Sequence, residues 1–137
     1  VLRPGGAATL AVWGPRTQNS LFDRLGRCLA ADHGDLADRL LAPLFRFADP
    51  DDLVDTAYRA GFTAVQRQTL SATIPARLDQ PFWQPTLEMA FSPLLAMLSP
   101  DEVTCLHDRI AADFKSGGDE QRRFPVAMSV HLLRLET

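Results

Sequence analysis

The stretch FPVAMSVHLLRLE, residues 124–136, decides the fold because it carries the clearest periodicity in the chain. Apolar residues occupy every second position on one side of it, and apolar residues with one histidine occupy the other side. The first set is Val126, Met128, Val130 and Leu132, and the second is His131, Leu133 and Leu135. Alternation with a period of two is typical of a β-strand. The stretch therefore predicts a long strand over 124–135.

A second strand is predicted near the start of the chain, at AATLAVW, residues 7–13. Its apolar residues do not alternate, which favours a strand covered on both faces over one that is half exposed to water. The preceding LRPGG, residues 2–6, is typical of a turn, because proline and paired glycines interrupt regular structure. The chain does not begin with Met, and we expect that further sequence precedes Val1.

Helical segments lie between the predicted strands and carry recognisable start signals. Asp49-Pro50 is typical of a helix N-terminus, and Ser99–Glu102 forms a capping box with proline at the first helical position. Asn19 or Ser20 can cap the first helix, and Pro93 is expected to kink or split a later one. The predicted helices are 20–32, 35–44, 50–60, 82–98 and 100–116, and the remaining strand is predicted over 62–74.

This order of elements predicts one α/β domain that covers residues 1–137. Three strands form the sheet, and four to five helices are layered over it. The direction of the last strand is left open by the order of elements alone. With 46% hydrophobic residues, the chain can bury one core of its own.

The charge of the chain argues against two classes of partner. The formal net charge is −3, and the basic residues, all but one of them arginine, are scattered. A nucleic-acid or anionic membrane surface would need clustered Lys and Arg, so neither partner is expected. No apolar run approaches the about 20 residues that a membrane span needs. The bias toward arginine over lysine indicates a bacterial source.

Cysteine and histidine give little sign of metal or redox chemistry. Cys28 and Cys105 each fall on an apolar helical stripe, which predicts two buried free thiols; a disulfide or a reactive thiol are the alternatives. This pattern mildly favours a cytoplasmic protein. The three histidines match no metal spacing, and no metal site is predicted. No motif of a hydrolase, nucleotide kinase or zinc protease occurs.

Three stretches together resemble class I S-adenosylmethionine-dependent methyltransferases of the ubiquinone-biosynthesis-like small-molecule group. They are LRPGG with the strand after it, FADPDDLVDTAYRAGFTAVQ, and FPVAMSVHLLRLE. They are similar to the fifth, sixth and seventh strands of that family with their connections. The resemblance implies a partial Rossmann-like sheet whose last strand inserts antiparallel between the other two. It covers most of this chain but only the C-terminal half of the family fold.

The family binds its cofactor through elements that this half lacks. They are a glycine-rich turn after the first strand and an acidic residue that ends the second. No G-x-G occurs here, and Asp49 and Asp51 are residues of a helix start. The resemblance therefore implies S-adenosylmethionine as the cofactor of the intact family, with none bound by this chain alone.

Five residues are candidates for a substrate pocket, and each has a structural alternative. Trp13 ends the first strand, where open α/β sheets place their ligand crevice, although ordinary packing would also use it. Phe82, Trp83 and Phe91 lie on segments that, by the resemblance, fold over the acceptor site, or else they form core. His131 lies in mid-strand and serves either a pocket or a structural hydrogen bond. No catalytic residue is predicted, since methyl transfer in this family relies largely on positioning.

Two functions of different class follow. The first is the C-terminal, substrate-lid portion of a small-molecule methyltransferase that cannot itself bind S-adenosylmethionine. The second is a stand-alone, non-catalytic remnant that acts as a dimerisation or protein-interaction module. In both, the uncharged strand 7–13 would leave an open sheet edge, so we expect a homodimer through it. The aromatic candidates suggest an apolar or ring-bearing small-molecule acceptor.

Overall fold

The computed structural model of the chain describes Arg3 and residues 5–137. Within these residues, five helices surround one antiparallel sheet of three strands in the order β1-β3-β2. The strands are β1 (Ala7–Trp13), β2 (Ala64–Arg77) and β3 (Arg123–Glu136). The helices are α1 (Ser20–His33), α2 (Asp35–Leu41), α3 (Pro50–Arg59), α4 (Gln84–Leu95) and α5 (Pro100–Ser116), and a 3-10 turn covers Arg16–Gln18. The predicted α/β class and the antiparallel last strand are confirmed. Leu2 and Pro4 of the predicted LRPGG turn lie outside the described residues.

The central strand β3 changes the face that it buries partway along its length. Phe124 and Val126 are buried against α1, α2, α4 and α5, on what we call the four-helix face. Leu133 and Leu135 are buried on the opposite side, the α3 face, against that helix. Successive residues of a strand point to opposite faces. The helices cover one face at the start of β3 and the other face at its end. This change explains why apolar residues occur at both even and odd positions of the strand.

The helices over the four-helix face share one hydrophobic core. Its most deeply buried side chains are Leu25, Leu29, Leu41, Leu87, Phe91, Leu94, Ile110 and Phe114. Pro93 lies inside α4, and Phe91 two residues earlier has non-helical angles of φ −124° and ψ 17°. A proline inside a helix lacks the N–H of the ladder and crowds the preceding turn. The predicted kink is confirmed.

The start of α3 follows from its own sequence. Asp49 accepts a hydrogen bond from the N–H of Asp51 at 2.9 Å, and Pro50 occupies the first turn. After the helix, Gly61 takes a φ of +93°, which a residue without Cβ adopts without strain. The helix lies over β2 and β3, where Leu53 and Ala57 are buried.

The strand β1 is mostly exposed, so the prediction that it is covered on both faces is wrong for the described chain. Leu10 at its centre is 40% exposed. The cause is position, because β1 is an edge strand and α3 lies over the other two strands. Within the described residues, only the end of β1 is partly covered, where Val12 and Trp13 pack against the two hydrophobic clusters.

Element boundaries differ from the prediction where pairing or capping decides them. β2 extends to Arg77 because it pairs with β3 in unbroken register from Ala64 with Glu136 to Arg77 with Arg123. The helix predicted over 82–98 is shorter, and α2 ends before residue 44. Long-range pairing lengthens the strand beyond its own β-rich segment.

The first turn of α5 predicts a specific titration. The Glu102 carboxylate accepts the backbone N–H and the hydroxyl of Ser99, each at 2.7 Å, and these bonds hold the pKa of Glu102 below its usual value near 4.5. Because the folded-state pKa is depressed, the capping box contributes its full stability above pH 4.5 and loses it as pH falls through the folded value. We expect NMR titration to place Glu102 below 4.5. Replacing Ser99 by alanine should move the pKa back upward, and a wild-type value at or above 4.5 would contradict the capping box.

Candidate functional site

Two side chains take the place of a neighbouring strand where β1 ends. Beyond β1, the Gly14 N–H donates to the Ser129 carbonyl at 2.9 Å. The Asn19 side-chain oxygen then accepts the Ser129 N–H at 3.0 Å, and the Ser20 hydroxyl accepts the Ala127 N–H at 2.9 Å. The backbone of β3 is thus satisfied at Ala127 and Ser129, just beyond the residues that β1 pairs with.

Asn19 is the most constrained polar side chain at this end of the sheet. It is 1% exposed, and its amide nitrogen donates to the carbonyls of Gly14 at 3.2 Å and Pro15 at 3.0 Å. The residue stands at the N-cap position of α1 but makes no side-chain capping bond. Asn19 thus has the predicted position at the start of α1, but the predicted capping hydrogen bond is wrong. Its side chain instead holds the turn after β1 against β3.

Trp13 lies at the carboxyl end of β1, on the four-helix face opposite Val130. Its ring meets that of Phe22 edge to face, with centroids 5.1 Å apart, and Phe22 meets Phe45 in the same way at 5.5 Å. The indole is only half buried. Trp13 therefore joins β1 to the helices and keeps part of its surface free.

Phe82, Trp83 and Phe91 lie in the core of the helices. Trp83 is 5% exposed and stacks on Phe114 with centroids 5.5 Å apart, while Phe82 meets Phe114 edge to face at 5.0 Å. Phe91 is fully buried at the kink of α4. The Arg24 guanidinium lies 4.8 Å from the centre of the neighbouring Phe124 ring. Phe82 and Trp83 thus belong to an aromatic cluster that includes Phe124 of β3, and Phe91 is part of the core between the helices.

His131 lies on the α3 face and is 5% exposed. Its Nε2 is 3.0 Å from the carbonyl of Ala48, and its Nδ1 is 2.8 Å from the Thr69 hydroxyl. A carbonyl only accepts, so the tautomer assigned from these partners carries its proton on Nε2 and accepts from Thr69. The imidazole thus ties β3 to β2 and to the loop before α3.

The five candidate residues do not form one pocket. Trp13, Phe82, Trp83 and Phe91 belong to the hydrophobic cluster of the four-helix face, and His131 lies on the other side of the sheet. Five grooves on the surface of the described residues are lined by other side chains. Of the five candidate residues, Trp13 is the one that both ends a strand and keeps part of its surface exposed.

The open part of the four-helix face carries a groove that sequence reasoning missed. It has a volume of about 320 Å³ and lies beside the apolar surface of β2, where Leu70 and Ile74 are about half exposed. Its side chains on this face are Thr9, Gln66, Gln68, Leu132 and Arg134. Arg134 is paired with Glu136 at 3.2 Å. The groove offers hydroxyl and amide groups for hydrogen bonding. In the sequence, the feature that could have indicated it is the run of polar residues within β2.

The glycine after β1 and the two aspartates weighed as contacts for S-adenosylmethionine all have structural roles in the described chain. Gly14 is the glycine that follows β1, and a methyl group built on it would lie 2.5 Å from the Ser129 hydroxyl. This glycine packs against β3 and forms no open cradle for a ligand. Asp49 caps α3, and Asp51 is paired with Arg67. Among the described residues, no group of three or more His, Cys, Asp or Glu side chains could hold a metal ion.

The two cysteines are free thiols in unlike surroundings. Cys28 is half buried, and this burial raises the pKa of its thiol above the usual value of 9.0. Cys105 is exposed, so the prediction that it is buried is wrong. The reason is rotation about α5, since Leu106 and Ile110 take the positions that face the core.

No family model matches the chain, and a search of curated proteins finds no significant match. Within the part of the chain that the structure describes, no helix has both the length and the apolar character to cross a membrane.

Proposed function

We propose that this chain is the C-terminal, acceptor-side portion of a class I S-adenosylmethionine-dependent methyltransferase that acts on a small molecule. The observation that carries the proposal is the strand order. β3 comes last in the chain, yet it lies antiparallel between β1 and β2. This is the arrangement that the resemblance to the family implies for the last three strands.

The placement of the helices supports the same proposal. The segment with α1 and α2 follows the carboxyl end of β1, and the segment with α4 and α5 follows the carboxyl end of β2. Open α/β sheets bind ligands beyond the carboxyl ends of their strands. A layer of four helices at that end is suited to cover an acceptor molecule. Trp13 ends β1 with part of its surface free, so it is the residue that we propose to contact the acceptor.

In this proposal, the cofactor belongs to a part of the protein outside these residues. S-adenosylmethionine would supply the methyl group, and this chain would position the acceptor and exclude water from it. The exposed edge and faces of β1 would receive a neighbouring strand and its covering helices.

The first test is the native protein itself. We would determine the intact mass in the source cells and the coding sequence upstream of Val1. The proposal expects a chain about twice as long, with a strand and a G-x-G turn, that binds S-adenosylmethionine in calorimetry. A native chain of 15.1 kDa would overturn it. As a matched control, the 137-residue chain alone should give no heat with the same ligand.

A second candidate function is a non-catalytic interaction module. The specific observation that favours it is the uncharged, exposed strand β1. Apolar edges without charge recruit other strands. A native mass of 15.1 kDa would support this function and contradict the first.

A further inference from the structure

Among the residues that the structure describes, β1 and β2 are the two edges of the sheet and no third strand pairs with either. Hydrogen bonding to β3 determines which backbone groups of β1 point outward. Gly14 donates to Ser129 and Thr137 donates to Gly6, so the even residues of β1 face β3. In an antiparallel ladder, a residue directs both its N–H and its C=O to the same side. The odd residues, Ala7, Thr9, Ala11 and Trp13, therefore direct their backbone groups to the free edge.

The free edge of β2 is protected in ways that β1 is not. Ser129 uses its N–H and C=O on its β1 side, so Ser71 opposite it points its own backbone groups outward. By the same parity, Arg67 and Pro75 stand at outward positions of β2. Proline offers no N–H, and a charged edge residue disfavours pairing. β1 contains neither charge nor proline.

We propose that β1 pairs antiparallel with β1 of a second copy of this chain, across a twofold axis at Leu10. The register that overlaps all seven residues matches Ala7 with Trp13 and Thr9 with Ala11 of the other copy. These are the outward-directed residues on both strands, and each such pair exchanges two backbone hydrogen bonds. The product is a continuous six-stranded sheet, β2-β3-β1-β1-β3-β2.

The side chains of β1 are complementary to themselves in this register. Leu10 meets Leu10 of the second copy in a close, non-hydrogen-bonded pair, which covers a side chain that is 40% exposed in the single chain. The large Trp13 stands opposite the small Ala7. No charge opposes another charge within the strand pair, and a twofold contact of this kind closes at two subunits.

This inference rests on the second function proposed above. In a longer methyltransferase, a strand of the cofactor-binding part would occupy the same edge, so the two arrangements exclude each other. The inference thus concerns the 137-residue chain as it stands.

The test compares two proline variants by sedimentation equilibrium. Ala11→Pro removes an outward N–H of β1, and the matched control Ser71→Pro removes an outward N–H of β2; neither breaks a bond to β3. We expect wild type at twice 15.1 kDa at micromolar concentration. Two lost donors per dimer should raise the dissociation constant of Ala11→Pro by about 10- to 100-fold. The dimer of Ser71→Pro should match wild type.

Hydrogen exchange in the wild-type protein makes the test independent of how the variants fold. The amides of Thr9, Ala11 and Trp13 should be protected along with those of Leu10 and Val12. A dimer that leaves these three amides unprotected, or that Ala11→Pro does not weaken, overturns the pairing but leaves an interaction module. A monomer at every concentration overturns both the pairing and the interaction module. The methyltransferase proposal is not affected by that result, because the native mass tests it separately.

Discussion

Replacing Phe114 by alanine is expected to lower the free energy of unfolding by about 3–5 kcal/mol. Phe114 is fully buried on α5, and three aromatic rings surround it with centroids 4.9 to 5.5 Å away. They belong to Phe82, Trp83 and Phe124. Deleting the ring removes its buried surface, leaves a cavity and ends these ring–ring contacts. Whole domains of this size are stable by only about 5–15 kcal/mol, so the loss is a large fraction.

The measurement is urea unfolding of Phe114→Ala beside Met97→Ala. With a urea slope of about 1–3 kcal/mol per molar, the midpoint should fall by roughly 2 M in the first variant. Met97 is 73% exposed, so its truncation should stay within about 0.5 kcal/mol of wild type. A loss under about 1 kcal/mol at Phe114 would mean that the aromatic cluster does not hold the helices to the sheet.

Local chemistry explains which elements were predictable from sequence. The starts of α3 and α5 depend on a few adjacent residues, and both occur where Asp49-Pro50 and Ser99–Glu102 predict them. The alternation in 124–135 likewise predicts β3, because successive side chains of any β-strand point to opposite faces of the sheet. Such signals need no knowledge of what the element will pack against.

Features that depend on distant partners were not predictable. The length of β2 is set by β3, the exposure of β1 by the absence of a described neighbour, and the role of Asn19 by a strand 110 residues away. The candidate site shows the same limit. The spacing of Trp83 and Phe91 is the same whether a helix lines a pocket or packs in a core. The structure places both residues in the core.

Replacing Asn19 by alanine is expected to cost about 2–4 kcal/mol, an unusually large effect for a polar side chain. The amide satisfies two carbonyls and one N–H at the end of β1, and it is 1% exposed. Alanine would leave the buried Gly14 carbonyl and the buried Ser129 N–H without a partner, whereas the half-buried Pro15 carbonyl would keep its bond from the Gln18 N–H. An orphaned buried group loses its solvation as well as its bond, which is why the cost exceeds that of an ordinary hydrogen bond.

The neighbouring Gln18→Ala is the matched control, because Gln18 is exposed and adjoins the same turn. It should remain within about 0.5 kcal/mol of wild type in the same urea titration. In Asn19→Ala, the N–H of Ser129 should also lose protection from hydrogen exchange beyond the change in global stability. If stability falls while the Ser129 amide keeps its local protection, the Asn19 side chain does not replace a strand at β3. The turn beside Trp13 would then be held by Gly14 and Ser20 alone.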